Sequence, residues 1–374
     1  MNASVRSYFQ VSHPINRYFL IIVGMIITIG AVAFFSASFG LLSRGGGPSF
    51  GSVVIGQFAL GIFPGLLIAW VLSRFHYTRW RYAAPIIFFL SVILNLLLLV
   101  PGLGFEHGGA VRWLQIFGAT IQPSEFLKIA FIMYLSAWLA GSRDRVKDAR
   151  FGVLPFVIIL AVTVGLLIIQ RDTDNAVIIT TTALIMYFAM GARLKDIAII
   201  VLVGVIGLGA LFFARPYLME RLLTFFDPSR DPQNSSYQLN KSLIAIGSGG
   251  LIGRGFGQSV QKFSGLPEPI GDSIFAVIGE EFGLVGSALI VLLFTAFLLQ
   301  GLKISIRSPD FFGRLLTLGI VILITIQSFT NIASMVGLFP IAGLPLVFIS
   351  HGGSSMLASL AAVGLVFNIS RYSK

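Results

Sequence analysis

The chain has 374 residues, of which 56% are hydrophobic and only 11% charged, with a mean hydropathy of +0.91. No soluble domain hides that much apolar surface, so the protein belongs among integral membrane proteins. It has no cysteine, which excludes disulfides and Cys-based metal sites, and its net charge of +11 has to be read from where the charges lie.

A bilayer core of about 30 Å takes roughly 20 mostly apolar residues per helix. Ten segments meet this: 17–39, 52–73, 83–103, 123–141, 151–170, 174–191, 196–214, 273–300, 314–338 and 347–369. The first is too long for a cleavable signal and nine others follow it. With the N-terminus placed in the cytoplasm, the inner loops and tails hold 16 of the 26 basic residues and only four acids, Asp144, Asp148, Asp196 and Asp310. The basic excess is therefore a topology signal rather than a nucleic-acid surface, and both termini face the cytoplasm. The expected architecture is an all-α membrane protein of ten transmembrane helices, one domain over 1–374, with a large extracytoplasmic loop at about 215–272 between the seventh and eighth spans. A connection of that length is usually functional. Its SYQLNKSLIAIG stretch reads as a short amphipathic helix lying at the interface, set between the polar turn 227–238 and the glycine-rich 247–259.

Ionisable residues at membrane depth are costly and mark functional sites by default. QPSEFLK (122–128) puts Pro123 in a first helical turn and sets Glu125 and Lys128 three residues apart on one face, where they pair. That pair fits either a substrate site or a lock between helices. Upstream, GGAVRW (108–113) places Arg112 on the same outer side. In QRDTDNA (170–176), Asp174 reads as a solvated turn residue and Asp172, beside the membrane exit, as the more interesting of the two. LPEPIGDSIFAVIGEE (266–281) carries Pro267 and Pro269, which keep the chain extended, then Gly271, with Asp272 at the N-cap of the eighth span. Glu280 and Glu281 lie two turns deeper, where capping no longer accounts for them; they read as structural or as polar lining. NIASMVGLFPIAGLPLVFISHGGSS (331–355) is apolar yet broken by Pro340 and Pro345, as expected of a loop folding back against the bundle. Its GGSS suits close backbone packing, and His351 reads as a buried hydrogen-bonding residue.

In order and over nearly the whole chain, these stretches, with FFSAS (34–38), FFDPSRDPQNSSYQLNKSLIAIGSGGLIGRGFGQSVQKFSGLPEPIGDSIFAVIGEEFGLVG (225–286) and the NISRY ending, resemble the SEDS family of bacterial cell-wall polymerases, the group of FtsW, RodA and SpoVE. GQSVQKFSGLPEP and NISR are closer to the FtsW form than to RodA. The resemblance implies a peptidoglycan glycosyltransferase of the bacterial cytoplasmic membrane that polymerises lipid II at its outer face, serving septal synthesis in division. It makes Asp272 the catalytic residue and maps the family's Glu, Lys and Arg onto Glu125, Lys128 and Arg112. It further implies a divalent cation (Mg²⁺ or Mn²⁺), with a class B penicillin-binding protein and other divisome membrane proteins as partners. Four positions depart from the family pattern: Gly271 stands where Thr is usual, Arg171 and Asp174 replace Pro and Gly, and His351 stands where Tyr is common.

The chemistry joins an acceptor C4 hydroxyl to a donor anomeric carbon with loss of a lipid diphosphate, so it needs one base and positive charge on the leaving group. Asp272 is the expected base. Arg112, Lys128, Arg254 and Lys262 are candidates for the diphosphate, with Glu125 orienting Lys128. The alternatives are a lipid II flippase, a RodA-like elongation polymerase and a scaffold without catalysis.

Overall fold

Backbone that crosses lipid has no water to pair with and closes its hydrogen bonds within helices, and the long apolar runs do so here. The computed structural model describes residues 13–43, 49–100, 102–107, 110–116, 119–227 and 236–373. Residues 228–235 of the first polar turn, Gly108 and Gly109, and the basic Arg6 and Lys374 lie outside these. In chain order the elements are α1 (Arg17–Ser38), α2 (Phe50–Arg74), α3 (Thr78–Leu96), β1 (Gly104–His107), β2 (Ala110–Ile116), β3 (Ala119–Ile121), α4 (Pro123–Gly141), α5 (Leu154–Ile169), α6 (Thr173–Ala189), α7 (Leu194–Ala214), α8 (Pro216–Phe226), α9 (Tyr237–Gly249), α10 (Ile274–Ile306), α11 (Phe311–Met335) and α12 (Gly353–Ser370). Among the described residues nine helices are long and apolar enough to cross a membrane, and α6 is a shorter apolar helix. Together they account for the ten predicted spans.

α11 and α12 form the centre: 78% of the apolar window of each is buried, whereas none of α7 is, which leaves α7 facing lipid. α11 packs on α10, α4, α6 and α12. α2 and α12 approach closely because small residues line the seam. A Cβ added to Gly61 would come within 3.3 Å of the Gly353 backbone, and one on Gly364 within 2.6 Å of Ala69. Close contact between small residues is how helices associate where lipid removes the hydrophobic drive. The first and last described stretches of the chain meet at one end of the bundle, where the His13 amide donates to the Arg371 carbonyl at 2.8 Å.

The predicted loop 215–272 is more ordered than its composition suggests. α8 follows α7 with only Arg215 between them, and was not foreseen. α9, foreseen as a short amphipathic helix, forms as expected and packs along α10, burying Leu239, Ser242, Ala245 and Gly249. A second unforeseen element is the three-stranded antiparallel sheet β1–β2–β3, with Gly104 opposite Leu114 and Leu114 opposite Ile121. The tenth span begins at Gly353 instead of 347, because Val347, Phe348 and Ile349 are buried loop residues whose apolar character imitates a helix.

α10 is broken at Gly283, whose φ of 65° and ψ of −158° no ordinary residue adopts cheaply. The break frees the carbonyls of Glu280 and Glu281 and the amides of Leu284 and Val285. The glycine-rich loop takes up all four. Arg254 and Gly255 donate to the two carbonyls at 3.0 and 2.9 Å, and the carbonyls of Gly250 and Leu251 accept from the two amides at 2.9 and 3.1 Å. A six-residue stretch of loop is thus spliced into the helix ladder, which satisfies backbone that lipid would otherwise leave unpaired.

Candidate functional site

Asp272 sits in the tight turn before α10. The Glu268 carbonyl accepts from the amides of Gly271 at 3.0 Å and Ser273 at 3.1 Å, and Glu268 itself is held at a positive φ of 43°. Non-glycine residues in that region are strained and concentrate at functional sites. The N-cap of α10 is Ser273. Asp272 lies one residue ahead of it, so the expectation that Asp272 caps the helix is corrected: its carboxylate is committed to no amide of the first turn.

Asp272 is fixed through its backbone. Asn331 of α11 donates from Nδ2 to the Asp272 carbonyl at 2.7 Å and to the Leu344 carbonyl at 2.8 Å. Ser350 donates to the Gly271 carbonyl at 2.7 Å, the His351 amide to the Ile270 carbonyl at 2.7 Å, and Gln238 of α9 to the Ser273 hydroxyl at 3.1 Å. Residues 342–350 carry this frame, with Ala342, Leu344, Leu346 and Ile349 each 1% exposed. The loop expected to fold back against the bundle does so, and it forms one wall of the site.

The opposite wall is α6 and α8. Arg221 of α8 pairs with Asp174 at 3.1 Å, and the same carboxylate oxygen accepts from the Gly343 amide at 3.0 Å. A Cβ built on Gly343 would be 3.7 Å from Oδ2 of Asp174, 3.7 Å from Oδ2 of Asp272 and 3.9 Å from Nη2 of Arg221. Two carboxylates and a guanidinium therefore converge on one backbone position, which is open because Gly343 has no side chain. Asp174 is thus no solvated turn residue: it is hydrogen-bonded on two sides and faces Asp272. Burial, reinforced by the charges of Glu268 and Asp174, pushes the Asp272 carboxyl up to about 7, while Arg221 and Arg112 pull it the other way.

From the Asp174–Arg221 pair a cavity of about 380 Å³ runs between α6, α7, α8 and α11, lined by Val177, Ile178, Phe212, Leu222, Ile326 and Leu344 among others. It is a largely apolar cavity with a charged head.

The other predicted site residues are placed as follows. Arg112 projects from β2 over the turn after α5, donating from Nε to the Gln170 carbonyl at 3.3 Å and from Nη2 to the Arg171 carbonyl. It remains close enough to act on Asp272 electrostatically. Glu125 and Lys128 pair at 2.8 Å with side chains 3% and 2% exposed. Lys128 also donates to Asn175 at 3.0 Å and Gln327 at 2.8 Å, and Gln327 donates to the Pro345 carbonyl at 3.2 Å. Three acceptors use its three protons, so Lys128 ties α4, α6, α11 and the re-entrant loop together beneath the site. Asp172 belongs to the same network, accepting from Asn175 at 2.9 Å and Ser124 at 3.3 Å.

Lys262 and Arg254 are not brought to Asp272. Lys262 is 0% exposed and pairs with Glu281 at 2.6 Å, while Ser36 of α1 donates to the same carboxylate. Arg254 pairs with Glu280 at 3.5 Å, and Glu280 also accepts from the Ser259 hydroxyl at 2.6 Å and the amides of Val260 and Gln261 at 3.0 and 3.1 Å. The two deep glutamates thus anchor the outer loop, a structural role, and they occupy the cations that had seemed free for a diphosphate.

Among the described residues no three histidine or carboxylate side chains converge as a metal cage. Asp272 and Asp174 are nonetheless hard oxygen donors, which fits Mg²⁺ or Mn²⁺ held by one or two carboxylates and a ligand's phosphates.

The profile of the cell cycle protein family that groups FtsW, RodA and SpoVE matches residues 16–374. The chain belongs to the FtsW/RodA/SpoVE family. Among relatives of this family, it is 35% identical to the stage V sporulation protein E of Bacillus subtilis over 355 residues, covering 95% of this chain and 96% of that one. It is 40% identical to a probable peptidoglycan glycosyltransferase FtsW of Trichlorobacter lovleyi over 306 residues, 82% and 80% of the two chains. A solved structure described as "Structural coordination of polymerization and crosslinking by a peptidoglycan synthase complex" superposes with a TM-score of 0.77 at 26% identity, covering 96% of this chain and 98% of that one. The Thermus thermophilus rod shape determining protein RodA shares the fold at a TM-score of 0.69 and 24% identity, over 96% of this chain and 98% of that one. As a family member with these spans, the chain is a multi-pass protein of the bacterial cytoplasmic membrane.

Within this FtsW/RodA/SpoVE site, Arg221 and Gly343 escaped sequence reasoning. Gly343 lies inside the quoted 331–355 stretch but was not singled out there, and Arg221 meets its partner 47 residues away in the chain. The only available signal was a lone arginine in an amphipathic stretch directly after a membrane span.

Proposed function

We propose that this chain is a peptidoglycan glycosyltransferase that polymerises lipid II, using Asp272 as base. One observation carries the reading: a carboxylate with no hydrogen-bond partner among the described residues stands beside a charged pair that heads an apolar cavity. That arrangement matches a substrate with a sugar diphosphate at one end and an isoprenoid chain at the other. The chain's similarity to probable peptidoglycan glycosyltransferases named FtsW supports it.

In this mechanism Asp272 takes the proton from the acceptor C4 hydroxyl as its oxygen forms a bond to the anomeric carbon of the donor. The bond from that carbon to the diphosphate oxygen breaks on the opposite face, so an α-linked donor becomes a β-linked product. A diphosphate leaves without a strong acid; it needs positive charge, which Arg221 and Arg112 supply at the rim. The apolar cavity takes the start of the lipid chain, and Leu208 and Phe212 of α7, a helix with no fully buried residue, form its outer side. A divalent cation beside the Asp174 carboxylate would supply further positive charge for the leaving diphosphate, with Asp272 left free to act as base. Glu125 and Lys128 act by positioning α6 and the re-entrant loop.

We further assign a class B penicillin-binding protein as the transpeptidase partner. The support is the structural likeness to a peptidoglycan synthase complex that coordinates polymerization with crosslinking. Similarity to FtsW relatives favours septal synthesis, with other divisome membrane proteins, over elongation. The test is polymerisation of lipid II in detergent, where no sidedness exists, by the purified chain with and without that transpeptidase. Glycan polymer from the native chain and none from folded Asp272→Asn supports the reading. No polymer from either, with lipid II crossing vesicle membranes instead, would make the protein a flippase.

A further inference from the structure

At the opposite end of the bundle from Asp272, where His13 meets Arg371, lies a second concavity of about 140 Å³ between α1, α10 and α12. Its wall includes His13, Asn16, Gln300, Lys303, Arg307 and Ser370. The frame is fixed: Gln300 donates to Asn16 Oδ1 at 3.0 Å, the Asn16 amide donates to Ser370 Oγ at 3.2 Å, and Asn16 Oδ1 also caps α1 through the Phe19 amide. Lys303 and Arg307 are four residues apart on one face of α10. Among the described residues neither has an ion pair and no carboxylate lines the cleft.

Like charges at this spacing repel, and their own surroundings do not cancel them. The C-terminal ends of α10 and α12 each contribute about half a negative elementary charge, but the N-terminus of α1 contributes about half a positive one. Two full positive charges are left largely uncompensated, in a concave setting that also offers hydroxyl and amide groups. The topology of basic residues puts this end at the cytoplasmic surface, and the cleft opens between membrane helices at that level. Basic pockets in that position suit the head groups of anionic lipids.

We propose that this cleft binds the phosphate of an anionic phospholipid of the inner leaflet, with Lys303 and Arg307 as the charged ligands and Asn16, Gln300 and Ser370 framing the pocket. Such a lipid would join the start of the first helix to the ends of α10 and α12, and so hold the cytoplasmic end of the helix whose outer end carries Asp272.

The test uses the full purified chain in zwitterionic detergent, with lipid retention read by native mass spectrometry and the unfolding midpoint read in parallel. Cardiolipin and phosphatidylglycerol should each be retained and raise the midpoint, and phosphatidylcholine should do neither. Lys303→Ala combined with Arg307→Ala should lose about thirtyfold in affinity, the ratio expected when two basic side chains leave an anionic surface. Arg143→Ala combined with Arg145→Ala removes the same charge from another loop and should lose little. Both pairs are surface changes, and unfolding midpoints without lipid verify that each variant folds. Equal losses from the two pairs, or equal retention of phosphatidylcholine, would overturn the site. Displacement of the lipids by millimolar inorganic phosphate would show a free-anion site and overturn the lipid assignment; retention in its presence supports it.

Discussion

If Asp272 is the base, its raised affinity for the proton sets both the pH dependence of the enzyme and part of its stability. The carboxyl moves from 3.8 to about 7, first through burial and then through the charges of Glu268 and Asp174, against Arg221 and Arg112. About one tenth is ionised at pH 6 and about nine tenths at pH 8, so the polymerisation rate should rise roughly tenfold across that interval. Glu268→Gln removes a neighbouring negative charge and should move this limb to lower pH; Arg221→Ala should move it up. Stability responds in the opposite sense. Between pH 3.8 and about 7 the folded state holds the proton that the unfolded state releases, so stability falls as pH rises and the penalty is complete above 7. Three pH units at about 1.4 kcal/mol each would set a ceiling near 4 kcal/mol, and solvent screening of this partly accessible carboxylate reduces it to about 1–2 kcal/mol. Asp272→Asn should therefore be inactive yet more stable than the native chain at pH 8, with the difference vanishing below pH 4. Initial rates of lipid II polymerisation from pH 5.5 to 8.5, with thermal unfolding of the same preparations, measure both. A flat rate profile, or a limb that Glu268→Gln leaves in place, would refute the tuning of the base.

Other expectations concern the buried pairs and the rim. Lys262→Met strands the Glu281 carboxylate and should cost about 3–5 kcal/mol, whereas Lys262→Met with Glu281→Leu should recover most of it; unfolding midpoints decide, and a single variant as stable as the native chain would remove the pair's anchoring role. Glu125→Gln and Lys128→Met should be non-additive by about 0.5–3 kcal/mol in the corresponding double-mutant cycle, since they act through one contact. Arg221→Ala should lower kcat by about 10²-fold, with Arg221→Lys restoring part of it, because a charge on the leaving diphosphate is lost; an effect confined to KM would place Arg221 in binding alone.

The membrane spans were legible because lipid imposes a length and a composition that few other constraints imitate. Where the same apolar composition serves a different end, reading failed: Val347 to Ile349 are apolar because they are buried in a loop, and hydropathy cannot separate the two cases. α8 is short and follows α7 with only Arg215 between them, so it merges with the span before it, and the strands around Arg112 are three to seven residues long, too short for an alternation to stand out. At the site, Asp272, Glu125, Lys128 and Arg112 were accessible through local motifs and resemblance. Asp174, Arg221 and Gly343 were not, because what defines them is a convergence of α6, α8 and the re-entrant loop. Lys262 and Arg254 illustrate the reverse error. Each looked like an available cation until the fold showed the glutamate that neutralises it.

The outer loop at 250–255, glycine-rich and bearing the exposed side chains of Leu251 and Ile252, looks like a natural place to insert an epitope tag or a fluorescent reporter. It is the wrong place. Four main-chain bonds of α10 run through that stretch, so an insertion there would cut a membrane helix whose covalent chain lies some thirty residues further on. A protein disabled this way would still be made and could still display its tag, and its failure would be misread as loss of a binding surface.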